Sequence, residues 1–558
     1  MTTSTGDETI DMIETQTTTI KQQQSSAPIE YDAIIIGAGA GGISALLHLR
    51  DLGLRCRLFE SGGGPGGAWY WNRYPGARFD SESYSYGFFF SKELFQEWKW
   101  SEHFAGQPET ERYFNYVIDR FDLRRDMQFK SRVDKAHFND EKNAWDVTLA
   151  DGTRYRGRWL VAAVGPLTKP QLPKIDGIES FAGEAYHTAR WPKHPVSFEG
   201  KRVGVIGTGA SGVQTIQEVA KSAAHLTVFQ RTANYMAPLG NGPVTDEEQE
   251  QIQASFEELK RKVNSSYAWF LHTPDQRSIF DVSDEERERF FEEKYNARGM
   301  GIWQGNFRDI LTDRRANDLI SDFIRRKIRE RVKDPETAEK LIPKDHGFGT
   351  RRVPHETNYY EVYNQPNVTL VDLKATPITR IVPQGVQTSE SFHELDMLIY
   401  ATGFDAITGA FEAIDIRGLG GQKLDDKWID GPSTYLGVMT AGFPNFYMPA
   451  GPLSAQGNIP RTCEYNAWWL AELIRYMQAE GLTYVEPKPE AEEEWTEHAR
   501  QVQSTLLTSE VDSWFTGVNR NREGRTSRRV VQYRGGAFIY REKCEAAVRN
   551  GFPEFIKK

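Results

Sequence analysis

Short apolar runs, each closed by a glycine-rich turn, recur along the chain. Asp32-Ala33-Ile34-Ile35-Ile36 is apolar at consecutive positions, as a strand covered on both faces is, and it ends at Gly37-Ala38-Gly39-Ala40-Gly41-Gly42. A helical pattern follows from Ile43 to Leu52, then a second apolar run, Cys56–Phe59, stops at Glu60. The succession returns as Val203–Ile206, Gly207-Thr208-Gly209-Ala210-Ser211-Gly212 and Leu226–Phe229. Strand, glycine turn, helix and strand predict a βαβ unit. Two units about 170 residues apart predict an α/β fold with two Rossmann-like dinucleotide-binding domains. In each turn the first glycine (Gly37, Gly207) permits the bend and the second (Gly39, Gly209) lets backbone approach a pyrophosphate. The third (Gly42, Gly212) lets helix pack on strand, and the helix N-terminus presents free N–H groups to phosphate.

Elsewhere the pattern predicts a hairpin over Trp145–Leu149 and a buried strand, Tyr155–Val164, ending at Gly165. Pro170, Pro173 and Gly177 mark a linker. Charge-dense helical runs follow at Glu247–Val263, Asp284–Tyr295 and Ala316–Lys333, with a capping box from Ser283 and Glu286 and a further helix opened by Asp334-Pro335. Strands at Val368–Val371 and Ile378–Val382 return to the second sheet, and Leu398-Ile399-Tyr400 runs into Ala401-Thr402-Gly403. This divides the chain into a disordered leader (1–28), a first dinucleotide domain (29–165), and a linker with the start of a second (166–242). A helical insertion (243–340), the rest of the second domain (341–395) and a return to the first (396–558) complete it.

Composition narrows the function. At 558 residues the chain exceeds one core, and a net charge of −10 argues against nucleic acid as a partner. No run nears the roughly 20 apolar residues of a membrane span. The Thr-, Gln- and Ser-rich start lacks the apolar segment of a secretion signal, so a cytoplasmic location is expected. Cys56, Cys463 and Cys544 are far apart and form no C-x-x-C, which removes dithiol flavoreductases and cysteine zinc sites and leaves no metal expected.

At Glu60, about 20 residues past its glycines, an acid can accept from an adenosine ribose and repels a 2′-phosphate, which suits FAD or NAD. The corresponding place in the second unit reads Gln230-Arg231-Thr232. Arginine can bind a 2′-phosphate bidentately and threonine can donate to it, which suits NADPH. Two glycines, a Pro-Gly turn and several aromatics mark Gly66 to Asp80, with Gly67, Trp69 and Tyr74, as a loop lying against something flat.

Phe181-x-Gly183-x-x-x-His187-x-x-x-Trp191-Pro192, immediately before the second unit, matches the fingerprint of Baeyer–Villiger monooxygenases. His187 alone reads as a satisfied core histidine; the whole string does not. The Gly66–Asp80 loop resembles that family's flavin-lining loop, Arg351-Arg352 its Lys-Arg pair, and Ala401-Thr402-Gly403 the motif where the chain crosses back to the FAD domain. Ser513-Trp514-Phe515-Thr516-Gly517 resembles a mobile loop that closes over NADP, although Arg520 to Arg525 replaces the family's Pro-Gly-Lys continuation. The resemblance implies FAD and NADPH as cofactors and oxygen insertion beside a ketone through a flavin peroxide, giving an ester or lactone. It also implies that the fingerprint links the two domains, that Arg352 is catalytic with Asp80 beside it, and that Arg351 contacts the 2′-phosphate. Abundant aromatics point to bulky or cyclic ketones. An N- or S-oxygenating flavin monooxygenase and a non-catalytic flavin- or NADP-binding sensor are the alternatives.

Overall fold

The protein is described by a computed structural model covering residues 27–522 and 524–558. The expected leader falls outside these apart from Ala27 and Pro28. The first sheet is built on Ile29–Ile36, parallel to Cys56–Phe59 on one side and to Arg154–Ala162 on the other. Ile34, Ile35, Leu58 and Leu160 have no exposed surface, which is why the inner stretches 33–36 and 159–162 carry no polar residue. At the start of their strand, by contrast, Arg154, Arg156 and Arg158 alternate with buried neighbours. Ala144–Leu149 and Val133–Asn139 extend one side antiparallel, and Met127–Gln128 closes the other. Two strands from the far end of the chain, Asp415–Arg417 and Phe446–Tyr447, pair with Val133–Asn139 and Arg154–Ala162. The return after residue 400 therefore completes the first sheet. Trp145, fully buried, fastens it by donating its indole N–H to the Pro444 carbonyl at 2.8 Å.

The second sheet is parallel throughout, in the order Val368–Asp372, His225–Gln230, Arg202–Ile206, Met397–Tyr400 and Glu184–His187. Its last strand corrects one expectation. Part of the fingerprint stretch is an edge strand in register with Met397–Tyr400, rather than only a connector. Gly183 makes this possible, because a Cβ there would lie 2.4 Å from the Asp396 carbonyl oxygen. Ile378–Val382 differs as well. It leaves the sheet to pair antiparallel with Gly385–Thr388, which pairs with Phe392–Glu394. The Thr376 N–H closes a turn on the Asp372 carbonyl at 2.9 Å, and Pro377 follows with no N–H to continue a ladder.

In the insertion, the run expected over Glu247–Val263 is two helices, Asp246–Ala254 and Phe256–Ser265. Ser255 divides them by donating its hydroxyl to the Ile252 carbonyl, which competes with the helical ladder. Ser283 caps Asp284–Asn296 by accepting from the Glu286 N–H, but the return half of the box is absent: the Glu286 carboxylate accepts from Arg277 at 2.7 Å. Asp334 caps Pro335–Leu341 as expected. Arg314–Arg331 buries Ile320, Phe323, Ile324 and Ile328 on one stripe. Gln230, at the end of its strand, ties the insertion to the sheet by donating to the Lys340 carbonyl at 2.7 Å.

The three cysteines are buried free thiols. Among the described residues no helix is long and apolar enough to cross a membrane, and no His/Cys/Asp/Glu cluster could hold a metal ion.

Replacing Trp145 by Phe keeps the ring and removes the donor to Pro444. The buried carbonyl left unpaired should lower unfolding stability by about 1–3 kcal/mol, read as a lower midpoint in denaturant melts. An unchanged midpoint would show that this bond does not hold the returning chain to the sheet.

Candidate active site

Both glycine turns open onto one cavity of about 1510 Å³ that runs between the two sheets. The helices behind the turns, Ala40–Asp51 and Ala210–Val219, start at Gly39 and Gly209, and neither cap has a side chain to satisfy the first N–H groups. Those donors are free for phosphate oxygens. No heavy atom lies within 4 Å of where a Gly209 Cβ would be, so a ligand can approach the backbone there. The third glycines pack as their spacing predicts: a Cβ on Gly42 or Gly212 would sit 1.8 Å or 2.2 Å from the carbonyl oxygen of Gly37 or Gly207. Gly67, at φ +54°, lies against Gly39, so the aromatic loop begins in contact with the first turn.

Glu60 lines the cavity with 5 % of its surface exposed. One carboxylate oxygen accepts from the Ala38 N–H at 2.9 Å, and the other from the Gly62 N–H at 2.6 Å. It thus braces the turn from the cavity wall.

The opposite end is cationic. Arg231, Thr232, Arg351, Lys374 and Arg520 line it. Lys374 reaches Asp345 at 3.3 Å, but Arg351 reaches the same carboxylate only at 4.0 Å and its buried Nε meets no acceptor. Burial, with Arg231 and Arg520 adding repulsion against the attraction of Asp345 and Asp512, lowers the Arg351 pKa; burial and Arg520 lower that of Arg231. Guanidinium groups held this close suit an anion with more than one charge. Thr208 and Thr232 join the turn to this end, the Thr208 hydroxyl donating to the Thr232 carbonyl at 3.1 Å. Trp514 lines the same cavity, its ring 4.5 Å from that of Phe515.

Between the two ends, Asp80 and Arg352 meet. The Arg352 guanidinium donates to Asp80 Oδ2 at 2.8 Å, and the His355 backbone N–H donates to the same oxygen at 3.1 Å. Asp80 is 2 % exposed. Burial alone would raise its pKa, but Arg352 and the His355 contacts outweigh that and hold the carboxyl at about 2. Both residues face the cavity. The loop carrying Asp80 contains one helical turn, Ala68–Trp71, where only irregular chain was expected; Gly67 starts it and Asn72 ends it. Trp69 donates to the Tyr86 hydroxyl at 3.0 Å and meets Phe79 edge-on. Burial pushes the Tyr74 phenol up to about 12, and it donates to Gln214 at 2.8 Å. Gln214 in turn donates to the Arg78 carbonyl at 2.9 Å.

Ala401, Thr402 and Gly403 line the cavity where the chain leaves the second sheet. The Thr402 hydroxyl donates to the Gln171 carbonyl, and His187 Nε2 lies 3.4 Å from both that carbonyl and the hydroxyl. His187 Nδ1 accepts from the Ala189 N–H at 3.0 Å, and burial lowers the ring's pKa, so it stays neutral at the crossing between linker and sheet. Arg522 pairs with Asp405 and Glu412, and Arg525 with Glu412, which fastens the 513–525 segment to the chain just past Gly403. Gln214, Asn234, which donates to the Arg352 carbonyl at 3.0 Å, and His355 were not singled out from the sequence. No local motif marks them; each is placed by the fold.

A family model described as "FMO-like: Flavin-binding monooxygenase-like" matches residues 31–239. The chain is 41 % identical to a protein of Pseudooceanicola batsensis named Baeyer-Villiger monooxygenase, over 95 % of this chain and 96 % of that one. It is 42 % identical to phenazine N-monooxygenase PhzNO1 of Lysobacter antibioticus, covering 94 % and 97 %. A crystal structure of OTEMO in complex with FAD and NADP superposes with a TM-score of 0.92 at 43 % identity, covering 95 % of this chain and 100 % of that one. With these likenesses running over nearly the whole chain and both glycine turns opening on one cavity, the protein belongs to the Baeyer–Villiger monooxygenases of the flavin-binding monooxygenase family.

Proposed function

We propose that this chain uses FAD, NADPH and dioxygen to insert one oxygen atom beside a ketone carbonyl, giving an ester or lactone. The observation that carries the reading is the Arg352 guanidinium, held by buried Asp80 in the cavity onto which both glycine turns open. Gly37, Gly39, Gly42, Glu60, Gly67, Trp69 and Tyr74 would hold FAD. Gly207, Thr208, Gly209, Gly212, Arg231, Thr232, Arg351 and Trp514 would hold NADPH, with Ala401-Thr402-Gly403 lying between them. When bound, FAD reduced by NADPH supplies the activated oxygen. Helix N-termini without side-chain caps, and a cationic end where the buried Arg351 Nε has no acceptor, support this assignment.

Arg352 is the catalytic residue in this reading. As the carbonyl carbon is attacked, negative charge builds on its oxygen, and a fixed cation in a partly enclosed cavity stabilises that charge. Asp80 is the positioning residue. Its carboxylate fixes the guanidinium while leaving other N–H donors free. Phe270, Met300, Trp303 and Ile459 give the cavity an apolar wall that suits bulky or cyclic ketones. The likeness to a phenazine N-monooxygenase favours a second reading, oxygenation at nitrogen, which makes less use of a cation at a carbonyl. A sensor without catalysis has no use for the Arg352 arrangement. We place the enzyme in the cytoplasm, a reducing setting in which three free thiols persist.

Arg352→Ala should retain both cofactors and still oxidise NADPH, while ester formation from a cyclic ketone falls about 100- to 1000-fold. Normal ester yield, measured by gas chromatography, would overturn the assignment, and N-oxide from a phenazine without any ester would favour the second reading. Arg231→Ala should raise KM for NADPH far more than KM for NADH; an unchanged ratio would remove the phosphate role.

The pH behaviour of Asp80 follows from its lowered pKa. The stabilisation from its charged form is present above the ordinary carboxyl range and is lost as pH falls towards about 2. It is therefore ionised throughout the neutral range. Asp80→Ala should lower kcat about 10- to 100-fold through misplacement of Arg352 without moving the neutral limbs of the pH–rate profile. A shifted limb would mean that Asp80 itself exchanges a proton in turnover.

A further inference from the structure

Most cations lining the cavity have a carboxylate: Arg352 has Asp80, Lys169 has Asp405, Arg78 has Glu102, and Arg520 has Asp512. Arg534 does not. Among the described residues its guanidinium meets no carboxylate or other acceptor; its one close partner is the Phe515 ring, 4.3 Å from the guanidinium carbon. Burial lowers its pKa, yet an arginine remains charged at any working pH. A partly buried, uncompensated cation is unfavourable unless something that binds there supplies the counter-charge.

The backbone holds this residue firmly. The Tyr267 hydroxyl donates to the Arg534 carbonyl, and the Ala537 N–H donates to the Tyr267 carbonyl at 2.7 Å. The Tyr533 N–H donates to the Ser454 carbonyl at 3.2 Å, and Gly536 turns the chain at φ +98°. Gln532 donates to Gln456 at 3.2 Å, and Gly457 lies against the Ala268 backbone, where a Cβ would come within 2.0 Å of the carbonyl oxygen. Tyr267, Gln456 and Arg534 all line the cavity. Three separate segments thus fix the backbone that carries this guanidinium in the cavity wall.

The surroundings indicate the charge of the missing group. Arg231, Arg351, Arg520 and Lys374 together line the end that suits a phosphate. Arg534 is a single cation over an aromatic ring. A carboxylate carries one charge and matches a guanidinium through two parallel hydrogen bonds, whereas a phosphate dianion would leave charge uncompensated. We infer that Arg534 is a substrate-binding residue for a carboxylate, so that the ketones this enzyme favours are keto acids whose carboxylate docks on Arg534. This rests on the Baeyer–Villiger reading of the cavity.

The test compares 2-oxocyclopentylacetate with its methyl ester in the FAD-loaded enzyme and in Arg534→Leu and Arg534→Lys. In the Leu variant the acid-to-ester ratio of kcat/KM should fall about 10- to 100-fold, and Lys should restore part of it. Titration of the bound flavin's visible spectrum with cyclopentylacetate gives a second readout, and its Kd should rise by a similar factor in Arg534→Leu. An unchanged ratio with an unchanged Kd would overturn the proposal, as would a raised KM for NADPH with the acid preference intact, which would assign Arg534 to the cofactor. If neither compound yields product while cyclopentylacetate still binds through Arg534, the Baeyer–Villiger reading fails and the anion site stands.

Discussion

Arg352 reaches Asp80 from 272 residues further along the chain, and the pair works only if two separately built sheets meet at one place. Asp80 sits at the end of an aromatic loop that starts against the first glycine turn; Arg352 follows the helical insertion of the second unit. Several contacts keep the distance fixed. Tyr74 and the Arg78 carbonyl both engage Gln214 on the helix behind the second glycine turn, and Gly76 leaves no room for a side chain, since a Cβ would lie 2.7 Å from the Gln214 carbonyl oxygen. A buried carboxylate is costly unless its charge is met. Among the described residues it is met only from the second unit, by Arg352 and the His355 N–H. The ion pair thus makes the seating of one unit on the other a condition for stability as well as for chemistry.

Features that depend on local backbone sterics were legible in the sequence. Gly42 and Gly212 could be assigned to helix–strand packing because nothing larger fits below 3 Å from a carbonyl oxygen, and that constraint leaves its mark in the spacing alone. The apolar runs at the parallel centre of both sheets were legible for a related reason: strands covered on both faces carry few polar residues. Asp80 and Arg352 were legible only through resemblance, since an acid after an aromatic loop and a cation after a glycine carry no spacing rule that joins them.

What the sequence concealed depends on tertiary placement. Glu184–His187 has too few residues and too little alternation to declare itself a strand, and it becomes one because Met397–Tyr400 offers it an edge. Ile378–Val382 has a strand's composition but belongs to a different sheet, a choice made by the turn at Thr376-Pro377. Gln214, Asn234 and His355 act through a side-chain amide or a backbone N–H, groups present in every protein and informative only once their neighbours are known. The segment from Arg520 to Arg525 departs from the family's pattern, and its structure supplies a reason. Arg522 pairs with Asp405 and Glu412 and Arg525 with Glu412, so electrostatic anchoring stands where the family uses a Pro-Gly turn.

The arginines of the cavity divide by how their charge is met. Arg352 is neutralised in part by Asp80, and what it loses in field strength it gains in fixed position, which matters for a charge that exists only briefly on a reacting oxygen. Among the described residues no carboxylate meets Arg231 or Arg534, and a cation on a cavity wall without a protein partner leaves its charge for a ligand to meet. A carboxylate beside either would lower the cost of the empty state and, by the same amount, weaken selection for an anionic ligand. For Arg352, pairing fixes a cation that assists a transition state; for Arg231 and Arg534, its absence leaves the charge to select what enters.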